Sequence, residues 1–117
     1  MGAPKTYVCG NLDISDMDYF VFDLYVSDID LFNSKVSGAI ELTSSANWDV
    51  AEISYALSNL KNVISTGWNR IAIPISSFSH FSSNDTVFEP KKVNFFRIYT
   101  ECSKLGIAVG NLAFGKN

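Results

Sequence analysis

The chain is short of basic residues, histidine, cysteine and long apolar runs, and each shortage narrows what it does. Of 117 residues, nine are Lys or Arg against twelve Asp or Glu, a net charge of −3. Proteins that grip phosphate backbones carry the opposite balance and a basic patch. The only adjacent basic pair here is Lys91-Lys92, so no nucleic-acid partner is expected. No apolar run reaches the roughly 18–20 residues of a membrane span, so no membrane partner is expected either. Two cysteines, Cys9 and Cys102, lie near opposite ends. They read equally well as two buried free thiols or as one long-range disulfide, and no zinc-ligand spacing surrounds them. His80 is the only histidine and sits in "FSHFSS", where it reads as a loop residue. No serine carries the glycines of a nucleophile elbow, and the chain is read as having no catalytic activity. The start, "MGAPKTYVCG", lacks the charged and apolar regions of a signal peptide. It reads as a domain taken from a longer protein, which leaves native secretion open.

What the chain has instead is period-two alternation. "DYFVFDLYV" sets Phe20, Phe22, Leu24 and Val26 on one face and Tyr19, Val21, Asp23 and Tyr25 on the other. "GAIELTS" sets Ile40 and Leu42 against Ala39, Glu41 and Thr43, and "AEISYAL" sets Ile53, Tyr55 and Leu57 against Glu52, Ser54 and Ala56. "NRIAIPI" aligns Ile71, Ile73 and Ile75; "NFFRIYT" sets Phe96 and Ile98 against Phe95, Arg97 and Tyr99; "LGIAVGNLAF" aligns Ile107 and Val109. Each pattern is that of a half-buried strand. Segments rich in Ser, Asn and Asp separate them, and only "YALSNLKNVI" offers a turn or two of helix. Six or seven short strands without a long helix argue for an all-β fold, an antiparallel β-sandwich formed by a single module over 1–117. Pro74 marks an edge strand or a strand end.

The order "FDLYVSD", "IELTSS" with "AEISYAL", "GWNRIAIPIS", "VNFFRIYT" and "GIAVGNLAF" resembles that of non-catalytic carbohydrate-binding modules. The resemblance runs from about Leu12 to Phe114. It implies a jelly roll of the galactose-binding type, appended to a secreted or cell-surface parent and in contact with its neighbouring domains. It also implies that the module delivers this parent to a polysaccharide or glycan. Similar modules decorate phage tail and baseplate proteins, so the alternative is a structural or adhesion module whose partner is protein. In such modules strand material precedes "FDLYV", and here only "KTYVCGNLDIS" is available for it. The Trp of Gly-Trp-Asn belongs to the frame in such modules, so Trp68 is expected to anchor its loop with its ring in the core.

Sugar recognition needs flat aromatic area with few rotors, flanked by groups that bond hydroxyls. Trp48 and Asp49, in the polar turn "SSANWDV", offer both on a loop. A second candidate is a sheet face carrying Tyr19, Asp23, Tyr25, Arg97 and Tyr99, where rings would stack and the carboxylate and guanidinium would bond adjacent hydroxyls. The competing reading of that face is an ordinary ladder in which Asp23 pairs with Arg97. Asp28 and Asp30 in "SDID" are weak candidates for a structural calcium, although the ligand series of an EF-hand is absent. Asp is also the usual turn and cap residue. No other cofactor is implied.

Overall fold

The alternation in Tyr19–Val26 organises the molecule. Phe20, Phe22, Leu24 and Val26 are fully buried, whereas Tyr19, Val21, Asp23 and Tyr25 face the other way and are partly or well exposed. Burying a Phe or Leu side chain is worth about 1.5–3 kcal/mol, so this one strand fixes which way its sheet faces.

The computed structural model describes residues 5–45, 51–81, 87–101 and 104–116. In chain order they form β1 (Lys5–Leu12), β2 (Tyr19–Val26), α1 (Ile29–Lys35), β3 (Gly38–Thr43), β4 (Glu52–Ala56), β5 (Gly67–Pro74), β6 (Ser79–Phe81), β7 (Val93–Thr100) and β8 (Ile107–Gly115). Three short 3-10 turns join them, one over Leu57–Leu60 inside "YALSNLKNVI". One sheet has the order β1-β7-β3-β4-β6 and the other β5-β2-β8. Every pairing is antiparallel. The architecture is therefore all-β, two antiparallel sheets with their apolar faces turned together. Phe20 and Phe22 of β2 meet across the core with Phe96 of β7, the Phe20 and Phe96 rings 5.1 Å apart between centroids.

Several expectations change. "SDIDLFNSK" is not a bare turn: it forms α1, which buries Phe32 and carries Lys35 in its last turn. Its N-cap is Asp28, whose Oδ1 accepts from the amides of Asp30 (3.0 Å) and Leu31 (3.2 Å), as a helix start requires. "KTYVCGNL" supplies the early strand, β1, paired to β7. His80 lies within β6, its backbone opposite Ile53, and not in a loop. Pro74 is the last residue of β5, an edge strand, where a missing N–H costs no ladder bond. Cys9 carries a free, half-buried thiol, pushed up in pKa by burial, while Cys102 lies outside the described residues.

A bulge in β8 changes which of its side chains face outward. Val21 pairs with Ala113 but Asp23 pairs with Gly110, so two steps on β2 match three on β8. The additional residue falls at Asn111, whose φ is +50°. It resets the parity of the strand, so that Val109, Leu112 and Phe114 all pack on the core.

Candidate functional site

The Gly-Trp-Asn stretch divides its labour between its residues. Asn69 faces the turn before β5: its Oδ1 accepts the Ser65 amide at 2.9 Å. Its Nδ2 donates to the carbonyls of Ser65 (2.8 Å), Gly67 (3.1 Å) and Leu24 (3.3 Å). Gly67 takes φ +99°, which a side chain would resist. The loop is thus anchored by Asn69 and Gly67. Trp68 points the other way and is 61% exposed. The expectation that its ring enters the core is overturned. With Ile71 and Ile73 buried, the two-residue period sends Trp68 and Arg70 outward, and Asn69 already satisfies the turn.

On this outer face of β5-β2-β8, Trp68 stands opposite Tyr25, and Arg70 stands opposite Asp23. The Trp68 and Tyr25 rings are tilted by 59° with centroids 5.5 Å apart, a favoured aromatic geometry. Tyr25 is 36% exposed. The indole does not stand up from the sheet. A Cβ placed on Gly110 of β8 would lie 3.9 Å from its Cη2 and Cζ3, so the ring reaches across β2 toward the third strand. Gly110 leaves the floor low enough for it. The edge of the benzo ring lies nearest Gly110, and most of the indole is open to solvent.

A polar cluster borders this platform. Asp23 Oδ1 accepts from Arg70 Nη1 at 3.2 Å, and Oδ2 accepts from Asn111 Nδ2 at 2.7 Å. Arg70 Nη1 also donates to the Asn111 carbonyl at 3.3 Å. The β8 bulge is what brings Asn111 to Asp23. The Asn111 amide does most to hold the Asp23 carboxyl below its ordinary value; burial opposes it, and the Arg70 hydrogen bond and charge, each smaller, add to the lowering. Among the described residues Arg70 Nε and Nη2 have no protein partner, so a fixed guanidinium offers donors beside a carboxylate that offers lone pairs. This is equipment for bonding neighbouring hydroxyls next to a stacking surface.

The face expected to join Tyr19, Asp23 and Tyr25 with Arg97 and Tyr99 does not exist as one surface. β2 and β7 belong to different sheets, whose outer faces look in opposite directions. Asp23 pairs with Arg70 and not with Arg97. Arg97 instead engages Glu41 through Nε and Nη2 and lies over the Tyr99 ring, 5.4 Å from its centroid. Trp48 and Asp49 lie outside the described residues. The Asp28 carboxylate is occupied as a helix cap, and among the described residues no group of three or more His, Cys, Asp or Glu side chains is placed to hold a metal.

Trp68, Arg70, Gly110 and Asn111 were thus missed. The signal for the first two was present, since parity counted back from Ile71 and Ile73 turns both outward. The signal for Asn111 was fainter: the apolar positions change parity from Ile107 and Val109 to Leu112 and Phe114 across Gly110-Asn111, as a bulge requires. Comparison of the chain with protein-family models, with curated proteins and with solved structures returns no match.

Proposed function

We propose that the protein is a non-catalytic carbohydrate-binding module. Its site would be the outer face of β5-β2-β8, with Trp68 and Tyr25 as the stacking platform and Asp23, Arg70 and Asn111 as the hydroxyl-bonding border. The observation that carries this reading is the state of Trp68: a tryptophan 61% exposed, laid along a sheet and bordered by a fixed polar cluster. Exposed aromatic area of this kind marks a place where something docks, and a flat ring beside oriented donors and acceptors suits the apolar face of a pyranose. The eight strands of the described residues, in two antiparallel sheets, support the finer reading of the fold as a jelly roll of the galactose-binding type. On that reading the module sits outside the cell or on its surface and carries a parent protein to a polysaccharide. Affinity is modest, because an open site buries little area and must strip hydroxyls of water.

A second reading, a structural or adhesion module with a protein partner, draws on a different place. At the β1 edge Val8 is 79% and Leu12 40% exposed beside an apolar cavity that reaches Phe20 and Phe96.

The test is retardation of the chain in gels containing soluble neutral polysaccharides (β-glucan, xylan, mannan and galactan), using the wild type, Trp68→Ala and Trp48→Ala. Retardation of the wild type that is lost only in Trp68→Ala is expected. Loss only in Trp48→Ala would move the site to residues 46–50. Absence of retardation by every polysaccharide would favour the protein-partner reading.

A further inference from the structure

The stacking platform occupies only one end of the β5-β2-β8 face, and the rest of that face is shaped as well. Beyond the rows of Trp68 with Tyr25 and Arg70 with Asp23, the next cross-strand row is Ala72, Val21 and Ala113, and the last is Pro74, Tyr19 and Gly115. Small side chains keep the third row low. The fourth raises a second aromatic ring beside a proline, at a hollow of about 420 Å³ that Ser76 also lines. Gly115 lets this end stay open: a Cβ there would meet Tyr19 Cβ at 4.0 Å and Val21 at 3.8 Å. Tyr25 and Tyr19 are six residues apart on one strand, roughly 20 Å at about 3.3 Å per residue. That distance spans several pyranose rings and not one. Charge narrows the ligand further. β2, β5 and β8 together contain one acid and one base, Asp23 and Arg70, and these are paired with each other. Asp18, which also lines the hollow beside Tyr19, adds one further acid, so the face has no spare base to offer an anionic chain.

We infer that the face is a groove for an extended, uncharged oligosaccharide lying along β2, with Trp68 and Tyr25 holding one ring and Tyr19 with Pro74 holding another several units away. This rests on the reading of the face as a glycan site and adds to it a second subsite, an orientation and a ligand class. Two weak subsites joined by one chain bind it more tightly than either alone, because engagement of the second is intramolecular.

Calorimetric titration of the intact chain with neutral β-1,4-linked gluco-, xylo- and manno-oligosaccharides, as disaccharide and hexasaccharide, tests the inference, with hexagalacturonate as the charged comparison. In whichever neutral series binds, the hexasaccharide is expected to bind about tenfold or more tighter than the disaccharide, and hexagalacturonate is expected not to bind. Tyr19→Ala should weaken the hexasaccharide by about three- to tenfold, roughly the worth of one aromatic contact, and leave the disaccharide unchanged. Tyr19→Phe, which keeps the ring, should match the wild type and so separates stacking from damage to the strand. Equal affinity for short and long chains, or a hexasaccharide indifferent to Tyr19→Ala while Trp68→Ala abolishes binding, would overturn the second subsite and leave the platform standing. Binding of hexagalacturonate as tightly as the neutral chain would overturn the ligand class. Failure of the wild type to bind any chain would remove the platform and the groove together.

Discussion

The two sheets turn the same alternation into opposite surfaces. On the outer side of β5-β2-β8 an Arg–Asp pair lies in the open: the Arg70 and Asp23 side chains are 55% and 24% exposed, next to an exposed tryptophan. On the outer side of the five-stranded sheet the equivalent pair is closed in. Glu41 is 5% exposed, it holds Arg97, and its neighbours Thr43 and Glu52 are buried too. A polar residue at an outward position of a strand is therefore no sign of a binding face. What separates the two surfaces is coverage. The closed pair serves the fold, since its charges have little water to fall back on. The open pair has water around it and donors to spare.

Breaking the closed pair should have the largest effect. Glu41→Ala would take from Arg97 its carboxylate partner, and removing one partner of a buried ion pair costs about 3–5 kcal/mol. Chemical denaturation should show that loss, whereas Asp23→Ala should leave the midpoint almost unmoved. Next comes Trp68→Ala, expected to change stability by under about 1 kcal/mol, as at other exposed positions. Its glycan affinity should fall by about 2 kcal/mol or more, the scale of an aromatic anchor. Stability and binding would then be carried by different faces, and a Trp68→Ala protein that unfolds would erase that division. A smaller, graded effect is expected at Gly110. Gly110→Ala fits, because its Cβ would make ordinary contact with the indole, but Gly110→Leu should lift the ring and weaken binding by about tenfold, roughly 1.4 kcal/mol.

The smallest effects lie in pH. Asp23 is an acid whose value is lowered in the folded protein, so its contribution is complete above 3.8 and is lost as pH falls through the lower folded value. Binding should stay level from neutrality to about pH 4 and weaken only below it. Tyr99, on the closed face, is raised by burial and by the nearby Glu41 charge. The unfolded chain gives up that proton near 10.0 while the folded chain keeps it, so stability should decline as pH rises past 10. The open face thus titrates on the acid side and the closed face on the alkaline side. A binding profile that tracked Tyr99 would join surfaces that the structure separates.

Much of this was legible in the sequence, and particular residues show where legibility stops. Phe20, Phe22, Leu24, Ile40, Leu42, Ile71, Ile73, Phe96 and Ile98 all face inward as alternation alone requires, because a buried face tolerates no slip. Which strands share a sheet was not legible. Alternation states that Tyr25 and Arg97 both point outward but not that they do so on opposite sides of the molecule. Helix α1 escaped because seven residues with one buried side chain leave no periodic stripe, and its cap aspartate looks the same as a metal-seeking one. Trp68 was misjudged by weighing the frame role that the resemblance implies over position, yet parity counted from Ile71 and Ile73 had already turned it outward. Asn111 required the β8 bulge, which shows in the sequence only as a change of apolar parity across Gly110-Asn111 and acquires a partner only once the strands are paired.

The central claim, that the outer face of β5-β2-β8 is where glycan binds, is tested most directly by chemical-shift mapping with a bound neutral hexasaccharide. Shifts are expected at the Trp68 indole, Arg70, Ala72, Ala108 and Ala113, with Arg97, Tyr99 and Glu41 still. Shifts centred on Arg97 and Tyr99, or none on the Trp68 face while the sugar is bound, would contradict it.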